Sequence, residues 1–246
     1  MPIPLQTGIV YGPMRSRRLG RSLGVNLLPE NRKTCNFNCP YCQYGWTRRG
    51  PASAWPSPRG VAEQVENALA RGCRLDVITL AGNGEPTLHP AFGEVVERLR
   101  LVRDRLAPGV RLAVLSNAST LGSPAVVAAL RRLDQRCMKL DAGDDGTVAR
   151  MNGVRIPVET IVEGLQRLDD VVLQSMFVRG GPLVDNTSPH ALDAWTRAVL
   201  RIRPSAVHVY SLDRPAASRR LLPVPRADLE RIAARLADDG IQATVY

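Results

Sequence analysis

No apolar run in the 246-residue sequence approaches the ~18 residues that a membrane span needs. The first residues show no basic stretch leading into an apolar one, so no secretory leader is expected and the protein is expected in the cytoplasm. Lysine is almost missing: 31 of the 33 basic residues are arginine, and only Lys33 and Lys139 are lysine. Histidine occurs three times, as His89, His190 and His208, and none is spaced to share a metal with the cysteines. Five cysteines without a leader argue against a disulfide framework. Repeats of 20–50 residues and low-complexity tracts are also absent, which excludes solenoids and fibrous chains. What remains is an ordinary globular composition, 44% hydrophobic and 23% charged, in one domain over residues 1–246 with a short N-terminal extension of about 20 residues.

The net charge is +10, and it is not spread evenly. Residues 15–49 hold Arg15, Arg17, Arg18, Arg21, Arg32, Lys33, Arg48 and Arg49 against the single acid Glu30, a net +7. A second run, Arg214, Arg219, Arg220 and Arg226, lies near the C-terminus and is expected on the same face as the first. Fields of this sign suit an anionic partner, nucleic acid or a phosphorylated substrate.

Strand-like apolar runs recur at Ser22–Leu28, Leu75–Ala81, Arg111–Leu115, Cys137–Leu140, Val171–Val178 and Ala206–Leu212. Helical stripes lie between them, such as Val126, Val127, Leu130 and Leu133, or Val158, Ile161, Val162, Leu165 and Leu168. Ser57-Pro58, Ser123-Pro124 and Ser188-Pro189 each offer an N-cap serine followed by proline at the first helical position. Six alternations predict an α/β fold with a parallel sheet, an open sheet or a partial barrel, and Gly240–Val245 an edge strand. In both folds the chemistry sits at the carboxyl ends of the strands.

After the first predicted strand comes Cys35-Asn-Phe-Asn-Cys39-Pro-Tyr-Cys42. Three thiolates at that spacing suit a soft metal or an iron–sulfur cluster. A structural zinc site wants a fourth Cys or His. Cys73 and Cys137 are expected at the amino ends of their strands, ~15 Å away from the loop. Only His89, in a facing loop, stays open as a fourth zinc ligand. Three cysteines on a [4Fe–4S] cluster leave one iron open, and an open metal position is a reactive one.

This C-x3-C-x-Tyr-C loop resembles the signature of radical S-adenosylmethionine (radical SAM) enzymes, and Gly82-Asn83-Gly84-Glu85-Pro86 after the second strand resembles that superfamily's GGEP motif. The resemblance implies a partial (βα)6 TIM-like barrel and an oxidoreductase with two cofactors, a [4Fe–4S] cluster on Cys35, Cys39 and Cys42 and S-adenosylmethionine (SAM). Reductive cleavage of SAM then releases a 5′-deoxyadenosyl radical, with electrons from a flavodoxin- or ferredoxin-type donor. Glycines permit φ > 0 and close backbone approach to a ligand, and Glu85 offers a carboxylate to an ammonium group. Ser116 and Asn117, ending the third strand, are implied as ribose or carboxylate contacts. Tyr41 stands where the family contacts adenine. The family's GxIxGxxE motif is absent from the fifth strand, where Gln174-Ser175-Met176 stands instead.

Tyr11-Gly-Pro13, Ser16-Arg-Arg-Leu-Gly20, Lys139-Leu-Asp-Ala-Gly-Asp144, Asp185-Asn-Thr187 and Tyr210-Ser-Leu-Asp-Arg-Pro215 extend the resemblance to the wyosine-synthase-related group. That likeness makes tRNA a candidate substrate. Lys139 and Asp141 alternate in phase, so both are expected to face the barrel interior as catalytic residues, Lys139 as a candidate Schiff-base amine, or as a structural ion pair. Competing readings are a glycyl-radical activating enzyme, a small-molecule radical SAM enzyme, and a non-catalytic iron–sulfur or metal module.

Overall fold

The structure is a computed structural model that describes residues 2–48, 50–180 and 184–246. Arg49, counted above in the first basic stretch, lies outside the described residues. Six strands run parallel in the order β2 (Gly20–Val25), β3 (Val77–Leu80), β4 (Arg111–Ser116), β5 (Gln135–Lys139), β6 (Val171–Met176) and β8 (Ala206–Tyr210). They match the six predicted runs with shifted ends: β2 and β5 each start two residues earlier than predicted and β4 ends one later, while β3, β6 and β8 are shorter. Helices α1 (Pro58–Ala70), α2 (Phe92–Leu106), α3 (Pro124–Leu130), α4 (Asp145–Asn152), α5 (Val158–Leu165), α6 (Pro189–Ile202) and α7 (Arg226–Ala234) fall between or after them. The predicted edge strand is β10 (Ala243–Val245), parallel to β8. A two-residue pairing of β7 (Val178–Arg179) with β9 (Leu222–Pro223) lies outside the main sheet.

Two of the three predicted serine caps form. Ser57 accepts from Gly60 N and Ser188 from Ala191 N, whereas Ser123 makes no side-chain cap bond. Alternate side chains of each strand face the helices or the interior. Outward residues such as Val25, Ile78, Leu112, Val114, Met138, Leu173, Val207 and Val209 pack with the helices in one large core.

The N-terminal extension is more than a tail. Val10–Ser16 forms β1, antiparallel to β2. Tyr11 faces Gly24, where an added Cβ would come 2.2 Å from the ring, so glycine is needed for the pair. The turn after β1 then folds into the sheet's concave side. Leu19 packs there with Val77, Ala113, Cys137 and Val172, so four strands converge on one side chain and the sheet is curled. Cys137 is thus the third residue of β5 and part of this interior plug, not a residue at the strand's amino end.

The same turn corrects the expectation of one basic face. Arg15 pairs in register with Arg21 at the amino end of β2, the end away from the cysteine loop. Arg21 is bridged to Asp76 at 3.2 Å and Arg17 to Asp213 at 2.8 Å, while Arg18 enters the lumen. Arg226 pairs with Glu230 along α7.

Trp195 on α6 fixes the strand ends that carry polar residues. Fully buried, it donates from Nε1 to Leu140 O at 3.2 Å and to Ser175 Oγ at 3.0 Å, and it meets Phe177 edge-on with centroids 5.1 Å apart. Its neighbours Lys139, Asp141 and Gln174 are held toward the interior in consequence.

Candidate active site

The segment from Thr34 to Gly45 crosses the carboxyl end of β2 and is stitched to the glycine loop after β3. Thr34 and Gly84 form a parallel bridge, in which Thr34 N donates to Asn83 O at 2.7 Å and Glu85 N to Thr34 O at 3.0 Å. Gly84 has φ +147°, and a Cβ on it would lie 1.8 Å from Thr34 O. Gly82, at φ +148°, likewise abuts the Asn26 side chain. The close approach expected toward a ligand is therefore made by the chain to itself. Asn83 is also fully used: its amide donates to Gln6 O at 2.9 Å and Pro29 O at 3.2 Å, and it accepts from Gln6 N at 2.8 Å.

Glu85 is buried and saturated. Its Oε1 accepts from Thr87 N at 3.1 Å, Thr87 Oγ1 at 2.7 Å and Ser116 Oγ at 2.9 Å, and its Oε2 from Asn117 N at 2.6 Å. Burial pushes its pKa up, and these four donors oppose that shift without reversing it. Glu85, Ser116 and Asn117 are thus one unit joining the loops after β3 and β4. From it the Asn117 amide reaches Asn36 Oδ1 at 2.8 Å and the Cys35 sulfur at 3.7 Å.

A second polar unit holds the other end of the cysteine loop. Asp141 Oδ2 accepts from the Tyr41 hydroxyl, the Lys139 ammonium and, at 3.2 Å, the Asn152 amide, while Oδ1 accepts from Met176 N at 3.0 Å. Burial would lower the Lys139 pKa, but Asp141, with Cys39 and Tyr210 nearby, raises it and keeps the ammonium protonated. Burial and the Asp141 charge hold the Tyr41 hydroxyl well above its usual range. Lys139 and Asp141 do share one side, as their phase predicts, and they form an ion pair.

Asn152 is a site residue that the sequence did not single out. Its amide lies 3.8 Å from the Cys39 sulfur and 3.0 Å from the Tyr41 hydroxyl, and its carbonyl accepts from Asn38 N at 2.8 Å. The signal was the Asn152-Gly153 end of α4: Gly153 is left-handed at φ +64° and packs on the Asn38 carbonyl. His89 is settled differently. Its Nδ1 accepts from Ala91 N at 3.1 Å, so Nε2 carries the proton donated to Pro56 O at 2.8 Å, and neither nitrogen is open for zinc.

The thiols Cys35, Cys39 and Cys42 are all reduced and pack at one edge of the large core, away from exposed Cys73 and from Cys137 in the plug. Burial lifts the Cys35 pKa to about 12 and raises that of Cys39, so thiolates here need a bound cation. Among the described residues no three Cys, His, Asp or Glu side chains converge on a point, as a single metal ion requires. A cubane asks for something else, because each cysteine takes its own iron. The amides of Asn117 and Asn152, aimed at two of the sulfurs, are the N–H···S donors that such clusters use.

Beside the cysteine loop, between the residues that lead into it and those that follow it, is a cleft of about 610 Å³. Arg32, Lys33, Arg48 and Arg219 line it with Tyr44 and the exposed Trp46, and among the described residues no acid does. Arg214 contacts Gln43 beside it at 3.2 Å, and Ser218 N bonds Pro40 O at 2.8 Å.

The sequence model described as "Radical SAM superfamily" matches residues 33–185, more than half of the chain and the segment that carries both loops. The protein belongs to the radical SAM superfamily. It is an enzyme of that superfamily, and its cofactors are a [4Fe–4S] cluster and SAM. A UPF0026 protein of Helicobacter pylori is 31% identical over 219 residues, which cover 85% of this chain and 67% of that one. Among solved structures, a radical SAM methyltransferase from Sphaerobacter thermophilus superposes with a TM-score of 0.65 at 17% identity, over 92% of this chain and 65% of that chain. A TYW1 structure with a lysine-pyruvate adduct bound gives a TM-score of 0.66 at 17% identity, over 90% of this chain and 74% of that one. The shared fold is the partial TIM barrel of radical SAM enzymes. Among the described residues no helix is long and apolar enough to cross a membrane.

Proposed function

We propose that Cys35, Cys39 and Cys42 hold the cluster, and that SAM lies across the strand ends between the Gly82–Glu85 loop, Ser116, Asn117 and the backbone of Tyr41. When bound, the pair supplies a 5′-deoxyadenosyl radical. The chain's own residues hold the loop that carries the thiols. Glu85 fixes Asn117 against Cys35, and Asp141 with Lys139 fixes Tyr41 and Asn152 against Cys39. In this reading Lys139 and Asp141 are positioning residues, since Asp141 is saturated and the Lys139 amine stays protonated.

The cleft beside the cysteine loop, with no acid among its described lining residues, carries the substrate reading. Arg32, Arg48 and Arg219 around an exposed Trp46 suit a polyanion with a stackable base, and we assign it to RNA, with tRNA as the substrate. A flavodoxin- or ferredoxin-type protein supplies the electron. The test is a filter-binding titration of bulk tRNA at several salt concentrations. About five phosphate contacts to single-stranded RNA give a log–log slope near −3.5, and replacing Arg48 and Arg219 together flattens it by roughly 1–1.5. A slope near zero with SAM cleavage intact overturns the RNA reading in favour of a glycyl-radical activating or small-molecule enzyme.

A further inference from the structure

Above the apolar plug, the lumen carries polar side chains that neither cofactor reading uses. Lys139, Gln174 and His208 are in-register neighbours on β5, β6 and β8, so they share the inner face. Arg18 enters the same space from the β1–β2 turn. Its Nη1 donates to Gln174 Oε1 at 3.0 Å, and its guanidinium sits 4.3 Å from the centre of the Tyr210 ring. The Tyr246 ring closes the far side, 4.8 Å from that of His208.

Among the described residues, two atoms of this layer have no partner. Gln174 Nε2 and His208 Nδ1 are buried without a hydrogen bond, on residues only 6% and 7% exposed. The Cys137 thiol lies close enough to feel the Gln174 amide, but not in hydrogen-bond geometry. Buried polar groups are nearly always satisfied, so orphans side by side mark a place where something else binds.

The charge points the same way. Asp76 and Asp213 take Arg21 and Arg17, and among the described residues Arg18 has no carboxylate partner. Asp141 offsets Lys139. His208 is neutral at physiological pH, because burial first and Arg18 second hold its pKa down to about 4. The lumen is therefore one negative charge short.

We propose that the lumen between Arg18, Gln174 and His208 binds the carboxylate of a small organic monoanion. A carboxylate is planar and accepts from a guanidinium and an adjacent amide together, and its single charge matches the deficit. A phosphomonoester would bring close to two charges into a desolvated space that balances one. Thr244 on edge strand β10, in register with His208, is exposed, so solvent lies one strand away from the His208 ring. The inference rests on the proposed cofactor placement only for the ligand's role, as a molecule held within the barrel below the radical. Its binding depends on the lumen side chains alone.

The test is saturation-transfer NMR on anaerobically reconstituted protein with propionate, propionamide and methyl phosphate as probes. Propionate should show transfer, and the isosteric neutral amide should not; this comparison needs no variant. Arg18→Gln should weaken propionate about tenfold or more and Gln174→Leu severalfold, while Arg59→Gln on the outer face of α1 changes nothing. Arg18→Lys, which keeps the charge and loses the fork, replaces Arg18→Gln if circular dichroism shows that variant unfolded, and should also bind weakly. Equal binding of acid and amide, tighter binding of methyl phosphate, or wild-type binding by a folded Arg18 variant overturns the proposal. The same samples are assayed for 5′-deoxyadenosine with SAM and dithionite. Failure there overturns the cofactor reading and leaves the propionate result standing.

Discussion

The side-chain amide of Asn152 lies 3.0 Å from the Tyr41 hydroxyl and donates to it, with the Cys39 sulfur 3.8 Å from the same nitrogen. One residue at the end of α4 thereby ties the lumen ion pair to the thiol loop. Replacing Asn152 by Ala should leave folding nearly intact but make the cluster labile. The measurement is iron retention on gel filtration, and a variant that keeps its iron as wild type does would remove Asn152 from this role.

The protein should hold one cluster, about four irons per chain. Ala at Cys35, Cys39 or Cys42 should abolish it, whereas Ala at Cys73 or Cys137 should not, since neither packs with the trio. Iron analysis and the visible charge-transfer band check this, and about eight irons per chain would contradict it.

Asp141→Ala strands the Lys139 ammonium and the Met176 N–H in a dry interior. Losing one partner of a buried pair costs about 3–5 kcal/mol. Lys139→Met with Asp141→Leu removes both charges and should cost less than the sum of the two single replacements. Urea melts of the four proteins give the coupling directly, and simple additivity would argue against the pair.

Gly84→Ala forces a methyl group to within 1.8 Å of Thr34 O, whereas Gly72, also at positive φ (+74°), has nothing within 4 Å of the added carbon. Gly72→Ala should cost only the backbone term of about 1 kcal/mol. Gly84→Ala should unfold the junction of the two loops and lose the cluster. Similar thermal shifts for the two would mean that the contact is not what requires glycine.

His208 gives a pH signature. Its folded pKa is about 4 against an ordinary 6.5, so the unfolded chain binds the extra proton between those values. Stability is fully present above pH ~6.5 and falls as the pH drops toward 4. His208→Gln should flatten that part of the curve. An unchanged slope in thermal melts across this window would show that His208 is not the group responsible.

The six strand–helix units, two serine caps and the edge strand at residues 243–245 were legible in the sequence, because hydrophobic period and Ser-Pro pairs are local properties. The cysteine spacing and the glycine loop were legible for the same reason. The phase of Lys139 and Asp141 was enough to place them together. What no local pattern carries is which distant groups meet. The fold alone decides that Gly84 is clamped on Thr34, that Glu85 spends its carboxylate on Ser116, Thr87 and Asn117, and that Asn152 completes the site. It likewise splits the arginines of residues 15–21, because a turn that inserts Leu19 into a curled sheet must carry Arg18 inside and leave Arg15 outside. Charge can be counted along a chain, but the sign of the field at a given point depends on where the closing turn puts each side chain.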